Sequence, residues 1–171
     1  QEFKTSFIDK IQPAIKHSPE ALFLIEVTDI KIDFLTTDFN FVDEHLHETS
    51  QTLSKHLQDF KNPTKAYFYR VRMEFYKHYD MSTEFYETAL SYLRYEDIES
   101  LRPNDRLILG TDICKAALVG KIYAPEKLIN HPIITDLQQT AEKWLYVALK
   151  AMNECDIEKF EAALFNDQVF Q

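Results

Sequence analysis

An all-α fold is what this sequence predicts, and two features of its composition and one of its pattern indicate it. Glycine occurs at only two positions, Gly110 and Gly120, among 171 residues. Hairpin turns, glycine bulges and phosphate-cradling loops depend on glycine, so hairpin-rich sheets and glycine-loop nucleotide sites are disfavoured. Apolar residues make up 45% of the chain, an ordinary globular value, and they recur at helical spacing in successive segments. This length suits one compact domain or two small packed subdomains.

The first clear helix start is Ser18-Pro19-Glu20, with serine as the N-cap and proline at the first helical position. The apolar residues that follow at the spacing of one helix face are Phe23, Val27, Ile30 and Phe34. A strand remains the alternative here, because Ile30, Ile32 and Phe34 also alternate in the chain.

A second helix, about five turns long, is predicted after Thr36-Thr37-Asp38, which offers a capping signal. Its apolar face is expected to comprise Val42, Leu46, Thr49, Leu53, Leu57 and Phe60. Asn62-Pro63 is expected to end this helix, because proline cannot continue a helix from its interior.

Two aromatic-rich helices come next, joined by Asp80-Met81-Ser82 with Ser82 as the expected cap. In the first helix, two neighbouring faces are expected to carry Phe68, Phe75 and Tyr79, and Tyr69, Met73 and Tyr76. In the second, the inward residues are expected to be Phe85, Ala89, Tyr92 and Leu93. Helices joined by so short a connection are expected to pack antiparallel. A small residue between large aromatics is typical of tetratricopeptide-like helix pairs, so the prediction is an irregular helical repeat.

A new block is predicted to begin near Asp97. Pro103 lies in the first turn of a helix expected to end near Gly120, a residue suited to the position after a helix. Pro125 is expected to open a short turn, and His131-Pro132 marks another break. A long amphipathic helix is then predicted over Leu137, Ala141, Trp144, Leu145, Ala148 and Met152. The last predicted helix, after a turn at Asn153 and Asp156, carries Ile157, Phe160 and Leu164.

The charge of the chain disfavours nucleic acid and anionic membranes as partners. The formal net charge is −9, from 28 acidic and 19 basic residues. Such a field repels phosphate unless a basic face overrides it, and the densest basic clusters are surrounded by acids.

No apolar run approaches the roughly 20 residues of a membrane span, and no signal peptide is recognisable. Two cysteines outside any CxxC motif suit a reducing, intracellular compartment.

Catalytic and metal chemistry find little support in the motifs. His45 and His47 lie in the most metal-like string, but they are two residues apart on a helix and project about 200° from each other. They are expected to be solvated helix histidines. Cys114 lies in a helix-interior context, so a structural role is favoured over a nucleophilic one. We therefore expect no catalytic residue, no metal and no cofactor, although two carboxylates for a glycosidase are never excluded by composition.

The aromatic helices offer candidate residues for protein binding. Helical spacing and the acidic charge favour core packing of these rings over stacking on nucleic-acid bases. Exposed members could still anchor a partner, because tyrosine is enriched at binding hot spots. The predicted partner-binding residues are Tyr67, Tyr69, Tyr76, Tyr86 and Tyr95.

A family resemblance lies mainly in the second half of the chain. The run from Cys114 to Tyr123, CKAALVGKIY, is followed by LINHPI from Leu128 to Ile133. These strings resemble the subunit-nine family (non-ATPase subunit thirteen) of the proteasome regulatory-particle lid, a branch of the PCI-domain family. The helix around Trp144, together with Leu24 to Asp29 and Phe85 to Leu93, is similar to further parts of that family.

The resemblance implies a right-handed solenoid of antiparallel, tetratricopeptide-like helix pairs that runs into the helical part of a PCI domain. Residues 1–96 would be the helical-repeat segment and residues 97–171 the start of the PCI helices. The winged helix of that module has no counterpart in the sequence, and the first residue is Gln1, so a middle fragment of a longer protein is expected.

The implied function is that of a non-catalytic structural subunit of the lid, a scaffold that supports degradation of ubiquitinated proteins. The implied partners are other lid subunits, with no nucleic acid, membrane or small-molecule substrate, and the expected location is the cytoplasm and nucleus. Two alternatives stay open. One is a helical adaptor of another PCI complex, such as the signalosome or translation initiation factor three, and the other is an all-helical enzyme of unrelated class.

Overall fold

The computed structural model describes residues 17–34, 38–120, 122 and 125–165, and every regular element in these ranges is helical. This confirms the all-α prediction and removes the strand alternative for the first segment. The α-helices are α1 (Pro19–Asp33), α2 (Phe39–Lys55), α3 (Asn62–His78), α4 (Ser82–Tyr95), α5 (Pro103–Val119), α6 (Glu126–Ile129), α7 (Pro132–Thr135), α8 (Lys143–Glu154) and α9 (Ile157–Phe165). Two 3-10 turns cover Ile98–Ser100 and Asp136–Gln139.

The chain divides into two compact units, Gln1–Phe75 and Tyr76–Gln171. The division falls within α3, whereas the sequence predicts a boundary between residues 96 and 97. The boundary between residues 96 and 97 was predicted as the point at which the helical repeats end and the PCI helices begin. It stays a prediction.

The start of α1 follows the local sequence signal. The hydroxyl oxygen of Ser18 accepts a hydrogen bond from the backbone N–H of Ala21 (3.3 Å), and Pro19 occupies the first helical position. Proline suits this position because its missing N–H would have had no partner within the helix. The predicted N-cap is therefore confirmed.

Aromatic side chains form the core of the first unit. The ring of Phe23 lies 5.0 Å from that of Phe60 and 5.8 Å from that of Phe68, measured between centroids. Phe75 stacks on Phe39 at 5.2 Å. The inward faces of α1 and α2 complete this core with Val27, Ile30, Val42, Leu46, Thr49 and Leu53. Each fully buried side chain of this size contributes about 1.5–3 kcal/mol through the hydrophobic effect.

Thr49 shows how the one polar residue of the α2 face is accommodated. Its side chain is buried, and its hydroxyl donates a 2.6 Å hydrogen bond to a carboxylate oxygen of Glu26 on α1. A buried hydroxyl without a partner would be costly, so this bond both satisfies Thr49 and ties the two helices together.

Glu20 on α1 places a negative charge at the N-terminal end of α3. One of its carboxylate oxygens accepts hydrogen bonds from the Thr64 hydroxyl (2.6 Å) and from the backbone N–H of Lys61 (2.8 Å). The bond from Thr64, and then that from Lys61, lowers the pKa of Glu20. A carboxylate at this end of a helix is also favoured by the helix dipole.

We predict that Glu20→Ala lowers the free energy of unfolding by about 1 kcal/mol at neutral pH, because an anion that accepts hydrogen bonds at a helix start contributes an amount of this order. The contribution depends on pH. Since folding lowers the pKa of Glu20, the stabilisation is present above its ordinary value of 4.5 and disappears as the pH falls through the folded-state pKa. Urea unfolding followed by far-ultraviolet circular dichroism at pH 7 and pH 3 measures both effects.

Glu84 offers a matched control for Glu20. It lies in the first turn of α4, as Glu20 lies in the first turn of α1. Both substitutions, Glu20→Ala and Glu84→Ala, therefore remove the interaction of a carboxylate with the dipole of its own helix. Only Glu20→Ala also removes hydrogen bonds at the start of a second helix, those from Lys61 and Thr64. Equal losses for the two variants would contradict the role given to Glu20.

Gly110 allows two elements of the second unit to approach closely. A Cβ atom at this position would lie 2.6 Å from the carbonyl oxygen of Ile133, inside the distance that real contacts allow. Glycine within a helix costs up to about 1 kcal/mol relative to alanine, so its presence in α5 needs a reason, and close packing against α7 supplies one. The buried residues of the second unit include Ile113, Cys114, Ala117, Leu128, Ile134, Leu145 and Leu149.

Several predicted helix boundaries are wrong. Asn62-Pro63 begins α3 and does not end a helix, since proline is tolerated in a first turn. α2 ends at Lys55, which leaves Leu57 exposed outside its face. Ser82 is the first residue of α4, and Met81 holds the N-cap position without a side-chain bond.

The second unit brings further corrections to the predicted turns. The helix that starts at Pro103 ends at Val119, next to Gly120 as predicted, but Gly120 has extended backbone (φ −68°, ψ 159°) and not the left-handed conformation that favours glycine. That conformation occurs after α8, at Cys155 (φ 55°). The long amphipathic helix is also shorter than predicted, because Leu137 lies in a 3-10 turn and Ala141 precedes α8. The predicted His131-Pro132 break is confirmed, with the His131 ring nitrogen Nδ1 accepting from the N–H of Ile133 (3.4 Å).

Candidate protein-interaction surfaces

The histidines in the most metal-like string do not converge on a site. The ring nitrogen Nε2 of His45 lies 3.9 Å from a carboxylate oxygen of Glu26, whereas His47 is exposed to solvent. Among residues 17–34, 38–120, 122 and 125–165, no group of three or more His, Cys, Asp or Glu side chains is placed to hold a metal ion. His45 therefore lies half-buried at the margin of the buried face of α2, and His47 lies on its exposed side.

The two thiols differ in their surroundings. Cys114 is fully buried in α5, and burial raises the pKa of its thiol to about 12. A thiol with so high a pKa is protonated at neutral pH and is a poor nucleophile, so Cys114 packs as a small apolar side chain. Cys155 is exposed in the turn after α8 and is also a free thiol.

The five tyrosines proposed from sequence fall into two groups. Tyr76 and Tyr86 are each only 5% exposed, and burial raises the pKa of the Tyr86 hydroxyl. Tyr67, Tyr69 and Tyr95 are half-buried. A ring packed inside the chain offers little area to another protein, so the half-buried tyrosines have the stronger physical case. Partner binding by any of the five stays a prediction.

Two cavities of the second unit are unlike each other in charge. The smaller, about 140 Å³, lies where α3, α4 and α5 meet, and its walls include the Lys77–Asp112 ion pair together with Asp80 and Lys115. Because cations and carboxylates both line it, this cavity has no clear preference for the charge of a ligand.

The larger cavity, about 400 Å³, lies between α8 and α9. It is lined by Ala141, Lys143, Trp144, Val147, Lys159, Ala162 and Ala163. We call this cavity the α8–α9 groove. From the sequence, Trp144 was predicted only as part of an amphipathic helix, and the groove was not foreseen. A signal existed in α9, whose apolar residues extend beyond the single face formed by Ile157, Phe160 and Leu164.

Large apolar side chains are also exposed on α9, which forms one wall of this groove. α9 has no buried residue along its length, and Ile157 and Phe165 are 72% and 79% exposed. Single exposed apolar residues are ordinary on protein surfaces, but a contiguous apolar patch marks an interaction site. Of the described residues, those of α9 thus combine a groove wall with exposed apolar side chains.

The described helices also carry many charged side chains. None of the described helices is both long and apolar enough to cross a membrane. Ion pairs join neighbouring helices within each unit, including Lys31–Glu74 at 2.9 Å and the Arg106–Asp136 pair. Exposed pairs of this kind contribute at most about 1 kcal/mol each, so they orient the helices more than they stabilise them.

Comparison with known proteins gives a consistent result. The family described as PSD13 N-terminal repeats matches residues 1–149. The chain is 32% identical over 130 residues to the 26S proteasome non-ATPase regulatory subunit 13 of Dictyostelium discoideum, covering 72% of this chain and 34% of that protein. It is 34% identical over 106 residues to homolog A of the same subunit from Arabidopsis thaliana, covering 61% and 28%. It is also 27% identical over 106 residues to a probable 26S proteasome regulatory subunit of Schizosaccharomyces pombe, covering 62% and 28%. The match thus spans about a third or less of the length of these relatives.

Proposed function

The chain belongs to the family of PSD13 N-terminal repeats, and on that premise we propose that it is a non-catalytic scaffold segment of the lid of the 26S proteasome regulatory particle. The observation that carries the proposal is the family match over residues 1–149, together with relatives that are named as non-ATPase regulatory subunits of the 26S proteasome. Its partners would be other subunits of the lid, and its role would be to support degradation of ubiquitinated proteins by holding those subunits in place.

The physical character of the described residues supports a scaffold role. Packed helices present extended surface along a chain, and each helix needs only its neighbours for stability. Buried side chains of the described part are overwhelmingly apolar, with Thr49, Thr64, Lys65 and Thr88 as the polar exceptions. Enzyme sites gather polar groups with perturbed pKa values in a cleft, and the α8–α9 groove is lined by apolar residues and two lysines.

Affinity purification of the tagged full-length parent protein from its own cells, with mass spectrometry of the co-purifying chains, tests this proposal. We expect lid subunits and subunits of the ATPase ring in stoichiometric amounts. Recovery of signalosome chains or of translation initiation factor three would move the protein to a related PCI complex. Recovery of the protein alone would contradict the scaffold role. Fluorescence microscopy of the same tagged protein tests the proposed location in the cytoplasm and nucleus.

The half-buried tyrosines provide a test at the level of residues. We expect Tyr67→Ala, Tyr69→Ala and Tyr95→Ala, made together, to reduce co-purification of lid subunits, because tyrosine is enriched at binding hot spots. Circular dichroism of the isolated variant must show that its helices persist. Unchanged co-purification with intact helices would remove these residues from the interface while leaving the scaffold proposal standing.

A further inference from the structure

His131 supplies the hydrogen-bond acceptors for the whole of the short helix α7. Its ring nitrogen Nδ1 accepts the backbone N–H of Ile133 (3.4 Å), and its carbonyl oxygen accepts those of Ile134 (2.9 Å) and Thr135 (3.1 Å). Pro132, the remaining residue of α7, has no N–H to donate. One residue therefore satisfies every backbone donor of this four-residue helix.

Ile133, the residue bound by the His131 ring, is also the residue that packs against α5. Its side chain is 1% exposed. Its carbonyl oxygen lies so close to Gly110 that a Cβ atom there would come within 2.6 Å. The position of Ile133 is therefore fixed from two directions, by the ring of His131 at its N–H and by the backbone of α5 at its carbonyl group. A loss of the first contact would loosen the second.

The hydrogen bond between His131 and Ile133 depends on the protonation state of the ring. Nδ1 accepts only while it carries no proton, which requires the neutral tautomer with its proton on Nε2. A second proton makes both ring nitrogens donors, so Nδ1–H would then face the N–H of Ile133. That N–H is part-buried, and a buried donor that loses its partner destabilises the conformation in which it is buried.

The surroundings of His131 favour the neutral ring. The ring is half-buried, and burial lowers its pKa. In the part of the chain that the structure describes, no titratable group on the elements packed against α7 makes an ion pair or hydrogen bond with this ring. Those groups are Asp105, Arg106, Asp112, Cys114 and Lys115 of α5, Glu126 and Lys127 of α6, and Asp136 of the 3-10 turn after α7. Arg106 and Asp136 pair with each other.

We propose that the contact between α7 and α5 is an acid-sensitive switch operated by His131: the neutral ring holds Ile133 in place, and a proton on Nδ1 releases it. The direction follows from the pKa. Because folding lowers the pKa of His131, the unfolded chain takes up this proton first as the pH falls below the ordinary value of 6.5. The stabilisation by His131 is therefore complete above that value, and it is lost as the pH falls towards the folded-state pKa. The proposal concerns the second unit alone and does not depend on the proteasome assignment.

Urea unfolding of the 171-residue chain and of two variants at pH 7.5 and pH 5.0 tests the proposal. Trp144 is the single tryptophan and lies in the second unit, so its emission reports on that unit. His131→Asn keeps a side-chain acceptor at the N-cap but does not titrate in this range, and it is expected to retain stability that the unsubstituted chain loses at pH 5.0. His78→Asn removes an exposed histidine of the same unit and is expected to lose as much as the unsubstituted chain.

Nuclear magnetic resonance of the unsubstituted chain tests the same proposal without relying on the folding of a variant. The nitrogen shifts of the His131 ring are expected to show Nδ1 without a proton at pH 7.5. Hydrogen exchange of the Ile133 amide, corrected for the intrinsic effect of pH, is expected to show less protection at pH 5.0 than at pH 7.5. A proton on Nδ1 at pH 7.5 or equal protection at both pH values would overturn the proposal. The same pH dependence of stability in the chain and in His131→Asn, or its removal by His78→Asn, would do so too.

Discussion

Phe23→Ala is expected to lower the free energy of unfolding by about 3–5 kcal/mol, the cost found when a large aromatic side chain is removed from a packed core. Phe23 is 1% exposed, and its ring touches those of Phe60 and Phe68. The loss combines buried apolar area with a cavity that the surrounding rings cannot close without leaving their favoured rotamers. Urea unfolding monitored by far-ultraviolet circular dichroism measures it, because that signal includes every helix.

Phe41→Ala is the matched control for this prediction. Phe41 lies on α2 in the same unit, but it is 55% exposed and touches the ring of His45 at the surface. The same chemical change there is expected to cost less than about 1 kcal/mol, since most of the side chain is in water in both states. Similar losses of unfolding free energy for Phe23→Ala and Phe41→Ala would contradict the position of Phe23 in the core of the first unit.

Gly110→Ala is expected to destabilise the chain by about 1–3 kcal/mol, the usual cost of overpacking. The added methyl group would lie 2.6 Å from the Ile133 carbonyl oxygen, which is backbone and cannot rotate away. Relief requires α5 and α7 to separate. Helix propensity by itself predicts the opposite sign, a gain of about 1 kcal/mol when alanine replaces glycine within a helix. The sign of the change therefore decides between local propensity and packing.

Lys115→Ala provides the reference for this test. It introduces alanine at an exposed position of the same helix, where no packed backbone lies opposite, and a change within about 0.5 kcal/mol is expected. The emission of Trp144 during urea unfolding reports on the unit that contains both sites. If Gly110→Ala raised the stability of that unit, α5 and α7 would not be packed as closely as the structure places them.

Local signals predicted the helical class and much of the inward-facing pattern. Ser18 and Pro19 act within one turn, so the sequence around them is sufficient to start α1. The inward residues of α4, Phe85, Ala89, Tyr92 and Leu93, are all buried as predicted. Periodicity succeeds here because a helix that must bury one face repeats its apolar residues every 3.6 positions.

Predicted boundaries failed where the deciding contact comes from elsewhere in the chain. The sequence Asn62-Pro63 is compatible with the end of one helix or the start of another. The bonds from Lys61 and Thr64 to Glu20, about 40 residues earlier, favour the start. The residue with left-handed backbone before α9 is Cys155, and no glycine marks this position in the sequence. The turn was therefore predicted at Asn153 and Asp156 and not at Cys155.

The candidate interaction residues also depend on contacts between residues far apart in the chain. Tyrosines at helical spacing were predictable as a group, but spacing does not reveal which rings a neighbouring helix covers, and Tyr76 and Tyr86 are buried. The α8–α9 groove was not foreseen, because its lining comes from two helices whose relative placement no periodic pattern encodes.

Residues close together in the chain are enough to predict an all-α protein of acidic charge, the start of its first helix and most of its core faces. The runs around Gly120 and His131-Pro132 also indicate its family. These features depend on residues close together in the chain, where propensity and spacing act directly. Packing between helices explains three further features: the need for Gly110, the cap that Glu20 provides and the groove lined by Trp144 and two lysines. Each of these joins residues from different helices, and their meeting depends on how side chains of unlike size pack together.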